Sequence, residues 1–335
     1  MVSRIVLDLT ERLGQTPLGG TVELPAAATD AATVTAWCER TGNELLSATD
    51  TAVVVRRGRA DPNRLLDDLP ADRRPGVRLW LYTNFDCNLA CDYCCSRSSP
   101  TTPRRALGVE NVARLVAEGA AAGVREVFLT GGEPFMLPDL DHVVAASTAH
   151  LPTTLLTNGM LWRGRRLQML KSMPRGRLTL QISLDSATPE NHDRHRGRGS
   201  WQRALGGIRL ALGEGFRVRV AATVAATDAS AEAGELAAFH RLLDGLGIPR
   251  SDQLVRPIAK RGFADNGVAV TVETLIPEVT VTADGVYWHP VAADHDDQLV
   301  SRQLFPLADA IDEVRRRFTR YRRTAAVAAE RFPCA

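Results

Sequence analysis

Four of the six cysteines fall within nine residues, in Cys87-Asn-Leu-Ala-Cys91-Asp-Tyr-Cys94-Cys95, and the others are Cys38 and Cys334. A disulfide framework spreads its cysteines along a short secreted chain, and this one bunches them in a long one. They read as metal ligands in a reducing compartment. Structural zinc takes two ligand pairs from separated segments, and a second C-x2-C or H-x3-H pair is missing here. The spacing C-x3-C-x2-C of Cys87, Cys91 and Cys94 suits a [4Fe–4S] cube held by three thiolates, one fewer than the usual four. The remaining iron then has an open position, as catalytic metal sites do. Cys95, adjacent to Cys94, points elsewhere in an extended loop and is expected to be a packed thiol.

From residue 77 onward the chain reads as strands alternating with helices. The strands are VRLWLYTN (77–84), REVFLTG (125–131), PTTLLTNG (152–159), LTLQISLD (178–185), FRVRVAATV (216–224) and DQLVRPI (252–258). Helical spacing marks 109–122, 139–149, 162–173, 200–213 and 231–246. LTLQISLD alternates, with Leu178, Leu180, Ile182 and Leu184 on one face and Thr179, Gln181, Ser183 and Asp185 on the other. The expected fold is α/β: a partial (β/α)6 TIM-like barrel with a small N-terminal α/β domain and a C-terminal cap. Sites in such barrels collect at the C-terminal strand ends. The cysteine loop follows the first strand, Thr130-Gly131-Gly132-Glu133-Pro134 the second and Thr157-Asn158-Gly159 the third, and Ser183 and Asp185 end the fourth. Each glycine pair alone is a turn; in this order the segments form one site.

The motif CxxxCxΦC, with Tyr93 before the third cysteine, resembles the radical S-adenosylmethionine (radical SAM) superfamily over residues 77 to about 262. The resemblance implies a [4Fe–4S] cluster on Cys87, Cys91 and Cys94, and SAM chelated at the open iron. Reductive cleavage of SAM then gives a 5′-deoxyadenosyl radical that abstracts hydrogen from a substrate. It also implies that Gly131, Gly132, Glu133 and Pro134 bind the methionine amino group, and that Tyr93 marks the loop meeting adenine. Ser183 and Asp185 resemble a strand that contacts ribose and methionine, and Asn158 joins the cofactor pocket. His192-Asp193-Arg194-His195-Arg196-Gly197 resembles the HDxxRG segment of peptide-modifying members. There Arg196 pairs with the SAM carboxylate, with Arg194 as its fallback.

Residues 1–60 stand apart as strand (RIVLDL), strand (TVELP), helix (DAATVTAWCERTG) and two strands (NELLSAT, AVVVRRG). Gly19–Leu46 resembles half of a TusA-like sulfur-carrier domain without its CPxP cysteine. Cys38 is expected in a core, and a leader-peptide docking module is the alternative. Residues 61–75 are the expected linker, giving domains 1–70, 76–262 and 263–335. RPIAKRGFA (256–264) and TVTADGVYWHP (280–290) resemble the start of a SPASM or twitch extension. Where that extension has its first cysteine, this chain has Gly285-Val-Tyr-Trp-His289-Pro290, so no auxiliary cluster is expected and His289 is a polar loop residue. Residues 305–332 are read as closing helices.

The 335 residues allow about two domains. A net charge of +2 gives no reason for a nucleic-acid partner. No apolar run is long enough to span a membrane, and the N-terminus is not a secretion signal, so a cytoplasmic location is expected. The resemblance points to a natural-product or ribosomal-peptide tailoring enzyme, with an electron donor of the flavodoxin or ferredoxin type and a peptide or small-molecule substrate. The alternatives are a small-molecule radical enzyme, including sulfur insertion, and a non-catalytic cluster-holding sensor or partner protein.

Overall fold

The computed structural model describes residues 4–17, 19–27, 30–58, 69–224 and 229–331. Two compact units emerge: the described residues up to Arg74 with those from Arg316 on, and Pro75–Arg315. Cys334 and most of the expected linker lie outside the described residues.

The first unit contains α1 (Arg4–Gln15), β1 (Thr21–Pro25), α2 (Ala31–Thr41), β2 (Glu44–Ala48) and β3 (Ala52–Arg56). The strands form an antiparallel sheet in the order β1-β3-β2. RIVLDL, expected as a strand, is the start of α1. Its apolar run is short, but Ile5, Leu9 and Leu13 recur at helical spacing and are buried together. They pack with Val34, Trp37 and Cys38 of α2 and with Val22, Leu24, Val53 and Val55 of the sheet. Burial pushes the Cys38 thiol up to about 11, which keeps it protonated and inert at neutral pH.

The second unit is built on six parallel strands: β4 (Arg78–Tyr82), β5 (Glu126–Thr130), β6 (Thr153–Thr157), β7 (Leu178–Ser183), β8 (Arg217–Val224) and β9 (Gln253–Pro257). They stand in chain order. The intervening helices are α3 (Val109–Ala121), α4 (Leu140–Thr148), α5 (Arg165–Ser172), α6 (Pro189–Arg196), α7 (Ser200–Gly213) and α8 (Ala229–Gly245). Leu79, Leu81, Val127, Leu129, Leu155, Leu180 and Val220 are buried. On the opposite face of the first two strands, Trp80 stacks on Phe128 with ring centroids 4.3 Å apart. Arg78 is 3.4 Å from Glu278, which also accepts from the Trp80 indole N–H. Arg217 and Arg219 flank Asp252. Asp252 is buried, and the two arginines supply the partners an interior carboxylate needs.

TVTADGVYWHP folds as β10 (Val279–Thr282) and β11 (Gly285–Tyr287), followed by β12 (Leu299–Ser301). β10 pairs parallel with β4, while β11 and β12 extend the sheet antiparallel. The helices expected over 305–332 are a single helix, α9 (Leu307–Arg331). Its first N–H donates to Glu118 Oε2 of α3 at 2.7 Å, and Arg315 Nε donates to the Pro75 carbonyl at 3.1 Å.

Two neighbouring glycines of α7 give a test of this packing. A Cβ on Gly207 would lie 2.2 Å from the Gly159 carbonyl oxygen, whereas one on Gly206 meets nothing within 4 Å. Gly206→Ala is therefore expected to stabilise by about 0.5–1 kcal/mol through helix propensity. Gly207→Ala is expected to destabilise by about 1–3 kcal/mol through overpacking. Urea titration of both variants checks the opposite signs; equal midpoints would overturn the α7–Gly159 contact.

Candidate functional site

The chain leaves β4 through three polar residues that lock the next loop in place. Thr83 Oγ1 donates to the Thr130 carbonyl at 2.9 Å. Asn84, fully buried, donates through Nδ2 to the Asp86 carbonyl, to Asp86 Oδ1 and to the Glu133 carbonyl at 2.9, 3.0 and 3.1 Å. Asp86 receives both Nε and Nη2 of Arg104, at 3.0 and 2.7 Å. The loop after β5 lies directly against this segment. Gly132 N–H donates to the Asn84 carbonyl and Glu133 N–H to the Asp86 carbonyl, each at 3.0 Å. A Cβ on Gly131 would lie 2.4 Å from the Asn84 carbonyl oxygen, and one on Gly132 2.2 Å from that of Asp86. The close approach these glycines permit is that of the chain's own cysteine loop.

Cys87 is buried, and Cys91 and Cys94 are half-buried. Leu89 N–H points at Cys87 Sγ at 3.4 Å, and Ser98 N–H at Cys94 Sγ at 3.3 Å. Burial raises the Cys87 thiol to about 12 and the Cys91 thiol to about 11, with the Arg196 charge opposing the rise at Cys91. Thiols this high need a cation to become thiolates. Among the described residues, no three His, Cys, Asp or Glu side chains converge as a set for a single ion. Three thiols on one loop, two of them receiving backbone N–H groups, fit a cube whose irons each take a separate sulfur.

Glu133 is 1% exposed, and burial raises its carboxyl above the usual range. Its Oε1 accepts from Thr157 Oγ1 and Phe135 N–H at 2.7 and 3.1 Å, and its Oε2 from Asn158 N–H at 2.8 Å. It ties the end of β5 to the end of β6 and keeps acceptor capacity for one more donor. Pro134 opens the buried 3-10 turn Pro134–Met136. Asn158 Nδ2 donates to Asn88 Oδ1 in the cysteine loop at 2.8 Å. Ser183, half-buried at the end of β7, makes no side-chain hydrogen bond to a described residue.

Asp185 lies just beyond β7. Its carboxylate accepts from Arg196 Nε at 2.6 Å, Arg196 Nη2 at 3.1 Å, Thr223 N–H at 3.0 Å and the Tyr93 hydroxyl. Burial opposes both charges, yet pairing leaves the Asp185 carboxyl below its usual range and Arg196 well above its own. Arg196, expected at the SAM carboxylate, is thus engaged by Asp185, and Arg194 is exposed. His192 is fully buried, accepts the Asp185 N–H through Nδ1 and is held neutral by burial, its pKa lowered to about 4. Asp193 caps α7, accepting from Gly199 N–H, Ser200 Oγ and Trp201 N–H at 2.6, 3.0 and 2.8 Å.

Residues 81–228 match the profile of the radical SAM superfamily. The chain carries a radical SAM domain. Over 152 residues it is 32% identical to the AdoMet-dependent heme synthase of Methanosarcina barkeri, covering 45% of this chain and 43% of that one. Over 143 residues it is 34% identical to the antilisterial bacteriocin subtilosin biosynthesis protein AlbA of Bacillus subtilis, covering 41% and 31%. The matches span less than half the length of these relatives. Among solved structures, native anSMEcpe with bound AdoMet superposes with a TM-score of 0.55 at 13% identity, over 72% of this chain and 82% of that one; the likeness is one of fold.

Two hydrogen-bonded sets hold the cysteine loop: Glu133 and Asn158 reach it through Asn88, and Asp185 with Arg196 through Tyr93. Sequence reasoning gave no role to Asn84, Asn88 and Asp92, and named Thr157, His192 and His195 only as members of their motifs. Asn84 carried a signal: a carboxamide ending an apolar strand, three residues before the first cysteine. His289 accepts the Val291 N–H at 3.2 Å and caps a 3-10 turn. Among the described residues, no helix is long and apolar enough to cross a membrane.

Proposed function

We propose that the chain is a radical SAM enzyme that tailors a peptide or a related natural product. The observation that carries this reading is the cysteine loop after β4, with its three thiols and two N–H···S contacts, seated on the Gly131-Gly132-Glu133 turn. Cys87, Cys91 and Cys94 would hold a [4Fe–4S] cluster. Glu133, Asn158 and the Ser183 hydroxyl would hold SAM. When bound, a reduced cluster would give one electron to SAM, which would part into methionine and a 5′-deoxyadenosyl radical able to take hydrogen from a substrate C–H bond. The chain's own share is placement: Glu133 ties the β5 and β6 ends together, and Asn158 tethers the cysteine loop through Asn88. The similarity to the subtilosin biosynthesis protein and the His192–Gly197 segment favour a peptide substrate. The similarity to the heme synthase supports a small-molecule substrate as the second reading.

Anaerobically reconstituted protein is expected to hold about four irons per chain and to form 5′-deoxyadenosine from SAM under dithionite. After Cys95 the sequence has one cysteine, Cys334, so about eight irons with two cubane signals would overturn the single-cluster assignment. Iron uptake without deoxyadenosine would leave a cluster-holding protein and overturn the enzyme. A peptide substrate is tested by incubating the loaded protein with short peptides encoded beside its gene and looking for a mass change.

A further inference from the structure

We propose that Asp185 and Arg196 are positioning residues for the cysteine loop, fixing the stretch between Cys91 and Cys94 against the barrel. The inference rests on the reading that this loop holds an iron–sulfur cluster. Only Asp92 and Tyr93 separate those two cysteines, and both are tied to the same region of the fold. Tyr93 donates its hydroxyl to Asp185. Asp92 donates its N–H to the His195 carbonyl at 3.3 Å, and its carboxylate meets His195 Nδ1 at 2.9 Å. Arg196 lies with its guanidinium carbon 5.4 Å from the Tyr93 ring centre.

The anchor behind these ties is itself fixed. Asp185 takes four donors, which fills the acceptor capacity of one carboxylate. No lone pair remains for a ribose hydroxyl. Arg196 commits two of its three nitrogens to Asp185, and the two side chains are 10% and 4% exposed. His192 takes the Asp185 N–H, and Asp193 caps α7. The segment from Asp185 to Trp201 is thus locked onto β8 and α7, and the two residues between the cysteines hang from it. A cluster held by three thiols depends on the spacing of those thiols, and outer contacts of this kind tune a metal centre.

The test uses the full-length reconstituted protein and the variants Asp185→Asn, Arg196→Gln, their double mutant and Tyr93→Phe. The measurements are the electron paramagnetic resonance (EPR) spectrum of the dithionite-reduced cluster without SAM, iron release to a ferrous chelator, and equilibrium dialysis of labelled SAM. Each single change at the pair is expected to alter the SAM-free spectrum and speed iron release about tenfold, with the double mutant no worse than either single. SAM affinity of the loaded fraction should stay within about threefold of wild type. Tyr93→Phe leaves the pair intact and folded, and should shift the spectrum in the same direction. The proposal is overturned if Arg196→Gln keeps the wild-type spectrum and release rate but loses SAM affinity about tenfold, because the arginine then serves the cofactor. An unchanged spectrum in Tyr93→Phe also overturns it. A wild type that takes up no iron overturns the functional reading and this one together. A loaded wild type with indifferent variants overturns this one alone.

Discussion

Cys91→Ala is expected to lose both the cluster and all SAM cleavage, while Cys95→Ala keeps both. The two thiols stand four residues apart but face different surroundings. Cys91 lies within the fields of Arg196, Cys94 and Asp185, on the side of the loop strapped to α6. Cys95 lies within the fields of Cys94, Arg256 and Asp294, beside the Tyr82 hydroxyl, which burial raises and which donates to the Pro290 carbonyl at 2.6 Å. That is the side of the C-terminal strands. The backbone there is also fixed from outside, since Phe263 N–H donates to the Cys94 carbonyl at 3.0 Å. Turning Cys95 toward the other thiols would break that arrangement. Burial holds its thiol at about 12, so it stays protonated at neutral pH. Without Cys91, two ligands remain where three were already one short of a full set. Iron, sulfide and 5′-deoxyadenosine measured on the wild type and on Cys91→Ala, Cys94→Ala and Cys95→Ala decide the matter. If Cys95→Ala loses its iron and Cys94→Ala retains it, the ligand assignment is wrong.

The barrel was legible in the sequence because buried parallel strands write themselves as short apolar runs. VRLWLYTN, REVFLTG and LTLQISLD each became a strand within three residues of the expected ends. The first unit was harder. RIVLDL looks like a strand when read six residues at a time; the signal that makes it a helix is Leu13, one turn beyond that window. At the site, the residue types were legible but their partners were not. Asp185 and Arg196 were both expected to face the cofactor, and each has the chemistry for it. What spacing cannot show is that α6 turns Arg196 back onto Asp185, so the two charges satisfy each other. The glycines carried a similar ambiguity. A Gly-Gly pair signals that something comes close to the backbone, but not whether that is a ligand or the chain itself.

Gly132→Ala is expected to damage both the fold and iron uptake through a single added methyl. Its Cβ would stand 2.2 Å from the Asp86 carbonyl oxygen and 2.6 Å from that of Phe85. Both are backbone atoms, so no side-chain rotation relieves the clash. The loop after β5 and the loop after β4 must separate. Separation breaks Gly132 N–H to Asn84, Glu133 N–H to Asp86 and Asn84 Nδ2 to Glu133, three bonds of 3.0, 3.0 and 3.1 Å in a buried place. Overpacking costs about 1–3 kcal/mol, and each buried partner left unsatisfied adds about 1–3 kcal/mol. A loss of about 3 kcal/mol or more follows, at the upper end for a point substitution. The same movement displaces Cys87, which comes one residue after Asp86, so iron uptake should fall with stability. Gly176→Ala is the matched control, because a Cβ there meets nothing within 4 Å; its effect should stay within about 0.5 kcal/mol. Denaturant midpoints and iron content of the two variants provide the comparison. A Gly132→Ala protein with wild-type stability and a full iron load would show that the two loops are not seated on each other, and the carrying observation for the proposed function would go with them.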